Sequence, residues 1–111
     1  MEETAQNTLH IVTLEGKFLS EYDFREVLSD VEEKIALGQN KVIINLDSLV
    51  FINSSGIGAL INILTKARTA GGESVIAGGN EQTSKLLVIT KLSQIFRVFE
   101  SVSKAKEYFN K

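Results

Sequence analysis

The sequence predicts a single α/β domain, a mostly parallel, mixed β-sheet with helices packed on it. Three observations predict it. Short runs rich in β-branched residues alternate with stretches whose apolar residues recur at helical spacing. The loops between them are short and marked by glycine while proline is absent, so the turns fall to Gly, Asn, Asp and Ser. A chain of 111 residues also has room for one domain at roughly 100–200 residues each, and the expected boundaries are 1–111.

Leu9 to Glu15 is β-branched and stops at Gly16, which predicts a strand. From Tyr22 to Leu37, Phe24, Val27, Leu28, Val31 and Ile35 fall on one helical stripe, with Asp23, Glu26, Asp30, Glu33 and Lys34 on the other side. Gly38 supplies a left-handed C-cap, and Gln39-Asn40 the turn. Lys41 to Leu46 lacks alternation, as expected for a strand covered on both faces. After Asp47-Ser48, Leu49–Ile52 is a short apolar approach to Asn53-Ser54-Ser55-Gly56. A second helix is expected from there to Ala70, with Ile57, Leu60, Ile61, Leu64 and Ala67 inward, closed by Gly71-Gly72. Ser74–Ala77 predicts a third buried strand, Gly78-Gly79-Asn80 a turn, and Glu81 to Thr90 a helix. Gln94–Phe99 predicts a last strand, and Ser101 caps a terminal helix through Val102, Ala105, Tyr108 and Phe109. Alternation of this kind gives right-handed crossovers between parallel strands.

Twelve Lys plus Arg against fourteen Asp plus Glu give a net charge of -2 with no basic stripe, so nucleic acid is not an expected partner. The absence of cysteine excludes disulfides, thiolate catalysis and cysteine-ligated metals. The acidic start does not read as a secretory signal, and no run approaches the ~18 apolar residues of a membrane span. The expected location is cytoplasmic, without direct membrane insertion.

Catalytic equipment is sparse. His10 sits mid-strand with no acid beside it in sequence, which reads as an ordinary strand histidine. One His and no Cys support no metal site. Gly56-Ile57-Gly58 opens a helix as a dinucleotide fingerprint does, but the sixth position is Ile61 instead of Gly or Ala, and no P-loop follows any glycine run. No cofactor and no catalytic residue is therefore expected. Around Asn53-Ser54-Ser55-Gly56 the nucleophile-elbow spacing fails, and no His lies downstream. Ser54 or Ser55 fits a helix N-cap worth ~1 kcal/mol. A serine there is also a good phosphate acceptor, because free N–H groups and the helix dipole stabilise the added charge. Spacing alone leaves both roles open.

The run from Val42 through Asn45-Leu46-Asp47-Ser48-Leu49-Val50-Phe51-Ile52-Asn53-Ser54-Ser55-Gly56-Ile57-Gly58 to Leu60 closely resembles the signature of STAS domains, particularly bacterial anti-sigma factor antagonists. The resemblance continues through Gly71-Gly72, Gly78-Gly79-Asn80 and Leu92 to Val102. It implies a non-enzymatic binding module switched by phosphorylation. The implied partner is an anti-sigma factor serine kinase of the histidine-kinase-like ATPase fold, which phosphorylates the second serine of the motif, here Ser55, with Ser54 as second choice. The unmodified antagonist binds the kinase and frees the sigma factor; the phosphorylated form is released, and a PP2C-type phosphatase restores it. The expected contact surface is Asp47, Ser48, Asn53, Ser54, Ser55 and Gly56, with Ala59, Asn62 and Ile63 as outward positions of the helix.

Asn53 stands where phosphorylated family members usually carry Asp, losing a charge but keeping a turn-forming side chain. That departure keeps an alternative open, a STAS accessory or structural subunit of a signalling assembly or lipid-transport ATPase complex with no phosphorylation cycle. A small enzyme or nucleotide-binding domain centred on the glycine turns is the competing class. Leu86-Leu87-Val88-Ile89 carries more apolar residues than a one-sided helix needs, which reads either as a helix wedged between sheet and loops or as an association surface.

Overall fold

A computed structural model of the chain describes residues 9–18, 21–52 and 54–110. Its elements are β1 (Leu9–Thr13), β2 (Gly16–Phe18), α1 (Glu21–Ala36), β3 (Lys41–Asn45), β4 (Leu49–Ile52), α2 (Ser54–Thr69), β5 (Glu73–Ala77), α3 (Glu81–Ile89), α4 (Leu92–Ile95), β6 (Arg97–Phe99) and α5 (Val102–Phe109). Four strands form one sheet in the order β1-β3-β5-β6. Every neighbouring pair in it is parallel, with Leu9 beside Lys41, Lys41 beside Glu73 and Val75 beside Arg97.

The chain steps outward one strand at a time without reversing, so crossovers of one hand place α1, α2 and α3 on a single face. Burial bears this out. Val12, Val42, Ile44 and Ile76 pack with Phe24, Val31, Leu60, Ile63, Leu64, Ala67 and Leu87. The alternate strand residues Ile43, Val75 and Ala77 pack with Ala105, flanked by Leu9, Ile11, Phe99, Val102, Tyr108 and Phe109, so α5 covers the other face. This two-sided cover explains the missing alternation in β3 and β5. Ile43, Ile44 and Ile76 are fully buried, each stabilising the fold by roughly 1.5–3 kcal/mol.

Helix ends follow the glycines. The Gly38 N–H donates to the Ile35 carbonyl and the Gln39 N–H to the Lys34 carbonyl, both at 2.9 Å. The same pair closes α2, from Gly71 to Arg68 at 3.0 Å and from Gly72 to Ala67 at 2.8 Å. Both are double-bonded left-handed caps that satisfy carbonyls the helix leaves free. At the start of α5 the Ser101 hydroxyl accepts from the Lys104 N–H, as expected.

Two expectations change. The first strand ends at Thr13, and Gly16 opens β2, which pairs in parallel with β4 as a separate two-stranded sheet. Leu49–Ile52 is therefore a strand as well as an approach to α2; three- and four-residue strands are too short to show a period. The expected strand at Gln94–Phe99 is reduced to β6, because Leu92 and Phe96 are both buried at helical spacing and the chain turns once as α4 between them. Lys91 precedes α4 in the left-handed region at φ 65°.

Candidate functional site

The signature residues lie where the strands finish. Each parallel strand ends on this side, and α2 and α3, which return across the sheet, begin here. After β3 the Leu46 N–H donates to the Ala77 carbonyl at 2.9 Å, anchoring buried Leu46 to β5. The chain then turns through Asp47 and Ser48, both exposed, with the Asp47 N–H donating to Asn45 Oδ1 at 3.1 Å and the Leu49 N–H to the Leu46 carbonyl at 3.1 Å.

Asp47 does more than turn the chain. Its Oδ1 accepts from the Gly79 N–H at 3.0 Å across 32 residues of sequence. Gly78 has φ 76°, and a Cβ there would land on the Asp47 carboxylate; Gly79 has φ 102°, and its Cβ would meet the Thr83 hydroxyl. The β5–α3 loop is thus folded around two polar side chains. Asn80 caps α3 by accepting from the Thr83 N–H at 2.9 Å, while its own N–H donates to Thr83 Oγ1 at 2.7 Å. A carboxylate bonded to a backbone N–H is one of the stronger hydrogen bonds available to a loop.

Asn53 lies outside the described residues. Ser54 and Ser55 are the first two residues of α2, and their side chains, on which the cap and acceptor expectations rest, also fall outside what is described. Farther along, Gly56 is buried, whereas Gly58, Ile61, Asn62 and Thr65 form an exposed stripe at i, i+3, i+4 and i+7. Ile61 is 38% exposed.

The phase of this helix corrects three expectations. Ala59 (7% exposed) and Ile63 (0%) were expected outward and are core residues, while Ile61 was expected inward and is exposed. The cause is that α2 packs on both α1 and β5. Buried on two sides, it needs a wide inner stripe, and Ala59, Leu60, Ile63, Leu64 and Ala67 supply it. The Lys66–Glu32 ion pair joins the same two helices. Gly58, Ile61 and Thr65 were missed as surface positions, although the spacing of Leu60, Ile63, Leu64 and Ala67 is the signal that finds them.

His10 gains a partner from distant sequence. Its Nε2 stands 3.1 Å from Asp30 Oδ2 on α1, and Lys34 Nζ donates to Asp30 Oδ1 at 3.2 Å. Burial pushes the Asp30 carboxyl up, but the hydrogen bond and charge of Lys34, followed by His10, outweigh it and hold the group below the usual carboxylate range. This cluster joins β1 to α1 and is no part of the signature region. In α3, Leu87 is buried and Leu86 half-buried, while Val88 and Ile89 are 65% and 76% exposed, so the run is part wedge and part surface.

No group of three or more His, Cys, Asp or Glu among the described residues is placed to hold a metal ion. Among them, too, no helix is long and apolar enough to cross a membrane. What the arrangement offers is a stiffened loop pair beside an exposed helix face, which suits recognition of a macromolecule.

A family model described as STAS domain matches residues 2–105. The chain belongs to the STAS domain family. Among relatives of this STAS domain, a Thermotoga neapolitana protein provisionally named an anti-sigma factor antagonist is 30% identical over 76 residues, covering 68% of this chain and 67% of the relative. The crystal structure of a Thermotoga maritima protein with the same provisional description superposes with a TM-score of 0.78 at 25% identity, covering 91% of this chain and 88% of that one. A sulfate transporter family protein from Wolinella succinogenes also reaches 0.78, at 19% identity, over 92% of this chain and 84% of that one. The STAS domain thus has an anti-sigma-factor-antagonist-like fold that a transporter-family protein shares.

Proposed function

We propose that this STAS domain is a phosphorylation-controlled antagonist of an anti-sigma factor, working in the cytoplasm and carrying no catalysis of its own. Its partner is a serine kinase of the histidine-kinase-like ATPase fold that adds phosphate to Ser55, and a PP2C-type phosphatase removes it. The observation that carries the reading is the exposed stripe of Gly58, Ile61 and Asn62 on α2, which follows Ser54 and Ser55 directly and shares its end of the sheet with the exposed Asp47-Ser48 turn. The kinship with proteins provisionally named anti-sigma factor antagonists supports it.

The physical logic is local. A phosphate on Ser55 adds roughly -1.5 to -2 charges at a helix N-terminus, where free N–H groups and the dipole tolerate it. The same charge facing a docked partner must be desolvated, so the complex weakens while the fold stays intact. Incubation of the purified chain with the anti-sigma kinase and ATP is expected to add one phosphate by mass, lost in Ser55→Ala and kept in Ser54→Ala. No incorporation would overturn the reading.

A second reading is an accessory STAS subunit without a phosphorylation cycle, in a signalling assembly or a lipid-transport ATPase complex. Asn53 in place of the usual Asp favours it, as does the equally good superposition on a transporter-family protein. Co-purification with a membrane transport complex in place of a kinase would select it.

A further inference from the structure

The outer edge of the sheet supports an inference that does not depend on α2. β6 pairs with β5 on one side and with no described strand on the other. The Gly78 N–H donates to the Phe99 carbonyl at 3.0 Å, so Phe99 and Arg97 turn their backbone groups toward β5. Backbone groups alternate along a strand, and Val98 therefore points both its N–H and its C=O away from the sheet. The Val98 and Ile95 side chains are 44% and 41% exposed. An open cavity of about 640 Å³ has Ile95, Arg97, Val98 and Phe99 in its lining together with Arg68 and Glu73 from the end of α2 and the start of β5.

We propose that this edge pairs with the β6 edge of a second copy of the chain, antiparallel about a two-fold axis at Val98. The edge is self-complementary. With Val98 on the axis, each copy donates one N–H···O bond to the other and accepts one, closing the pair that a lone edge leaves open. Arg97 then falls opposite Phe99 of the second copy. Arg97 already lies over the Tyr108 ring at 5.2 Å, and Phe99 packs on that ring with centroids 5.4 Å apart, so the guanidinium would sit between two aromatic surfaces. One step further out, exposed Glu100 of one copy falls opposite Phe96 of the other. No like-charged pair stands opposite between positions 96 and 100. Val98 and Ile95 of both copies become covered, and an edge that no described strand pairs is closed.

The full chain in sedimentation equilibrium is expected to show a monomer–dimer equilibrium. Val98→Lys, which places two ammonium groups on the axis, is expected to abolish the dimer while the far-UV circular dichroism stays that of the folded chain; Val98→Thr keeps it, because the pairing is made by backbone. The chain has no cysteine, so a single introduced thiol reports the contact. Hydrogen-bonded antiparallel pairs hold Cα atoms about 5.5 Å apart, within disulfide reach. Under mild oxidant Val98→Cys is expected to give a covalent dimer and Ile89→Cys, on the exposed end of α3, is not. A chain that stays monomeric at every concentration overturns the proposal and leaves the edge to an extended segment of another protein. A dimer that survives Val98→Lys, or that cross-links through Ile89→Cys alone, overturns it by moving the contact elsewhere.

Discussion

Where the strands begin, Gly38 and Gly71 close α1 and α2 at φ 94° and 84°, with nothing within 4 Å of the place a Cβ would take. Where the strands finish, Gly78 and Gly79 have φ 76° and 102°, and their Cβ positions are filled by the Asp47 carboxylate and the Thr83 hydroxyl. One residue type thus serves two purposes. At the first end glycine only permits a turn; at the second it also makes room for a charged side chain that ties the β3–β4 turn to the β5–α3 loop. The tied end is the one that carries the start of α2, so the stiffer construction lies beside the surface proposed for the partner. Gly72, at the plain end, is the exception. It has no left-handed φ, but a Cβ there would strike the Asn40 carbonyl, which is backbone and cannot swing aside.

Gly72→Ala is therefore expected to be the most damaging of the glycine substitutions, costing about 3 kcal/mol in denaturant unfolding, at the upper end of ordinary overpacking. A loss below about 1 kcal/mol would show that the two loops slide apart freely. Gly78→Ala comes next at roughly 2 kcal/mol, from left-handed strain and displacement of Asp47. Because the clash is with that side chain, Asp47→Ala should remove part of the penalty, and a double-mutant cycle is expected to return about 1 kcal/mol of coupling. Strict additivity would break the contrast between the two ends. Gly38→Ala, in open space, is expected to cost about 1 kcal/mol, and Gly38→Asn less.

The smallest effect concerns the other tied carboxylate, Asp30, held by charged side chains where Asp47 is held by a backbone N–H. Its folded-state titration lies below the unfolded value of about 3.9. The stabilisation is thus present above that pH and is lost as pH falls through the folded value. An NMR titration should place Asp30 below the ordinary aspartate value of about 3.9, and Lys34→Ala should move it up. Added salt should weaken this tie more than the Asp47–Gly79 bond.

Much of the fold was legible because its signals are periodic. The α1 stripe of Phe24, Val27, Leu28, Val31 and Ile35 packs in the core, and β3 and β5 carry the uninterrupted apolar runs of strands covered twice. The glycine caps at Gly38 and Gly71 were readable from turn chemistry alone. What was lost has physical reasons. β2 and β6 are three residues long and present no period, and α4 is a single turn. In α2, six apolar residues between Ile57 and Leu64 fit more than one helical phase. Only packing on both α1 and β5 decides that Ile63 goes in and Ile61 out. The Asp47 tie to Gly79 and the Asp30 tie to His10 span 32 and 20 residues, and a local reading of the sequence has no access to such distances.

The assignment of the tied end as a partner-switching surface is tested most directly by measuring kinase binding to the unmodified chain and to the chain phosphorylated at Ser55, side by side by calorimetry. The unmodified form is expected to bind, and the phosphorylated form to lose at least tenfold in affinity, about 1.4 kcal/mol, with its melting temperature unchanged. Equal affinities for the two forms would contradict it.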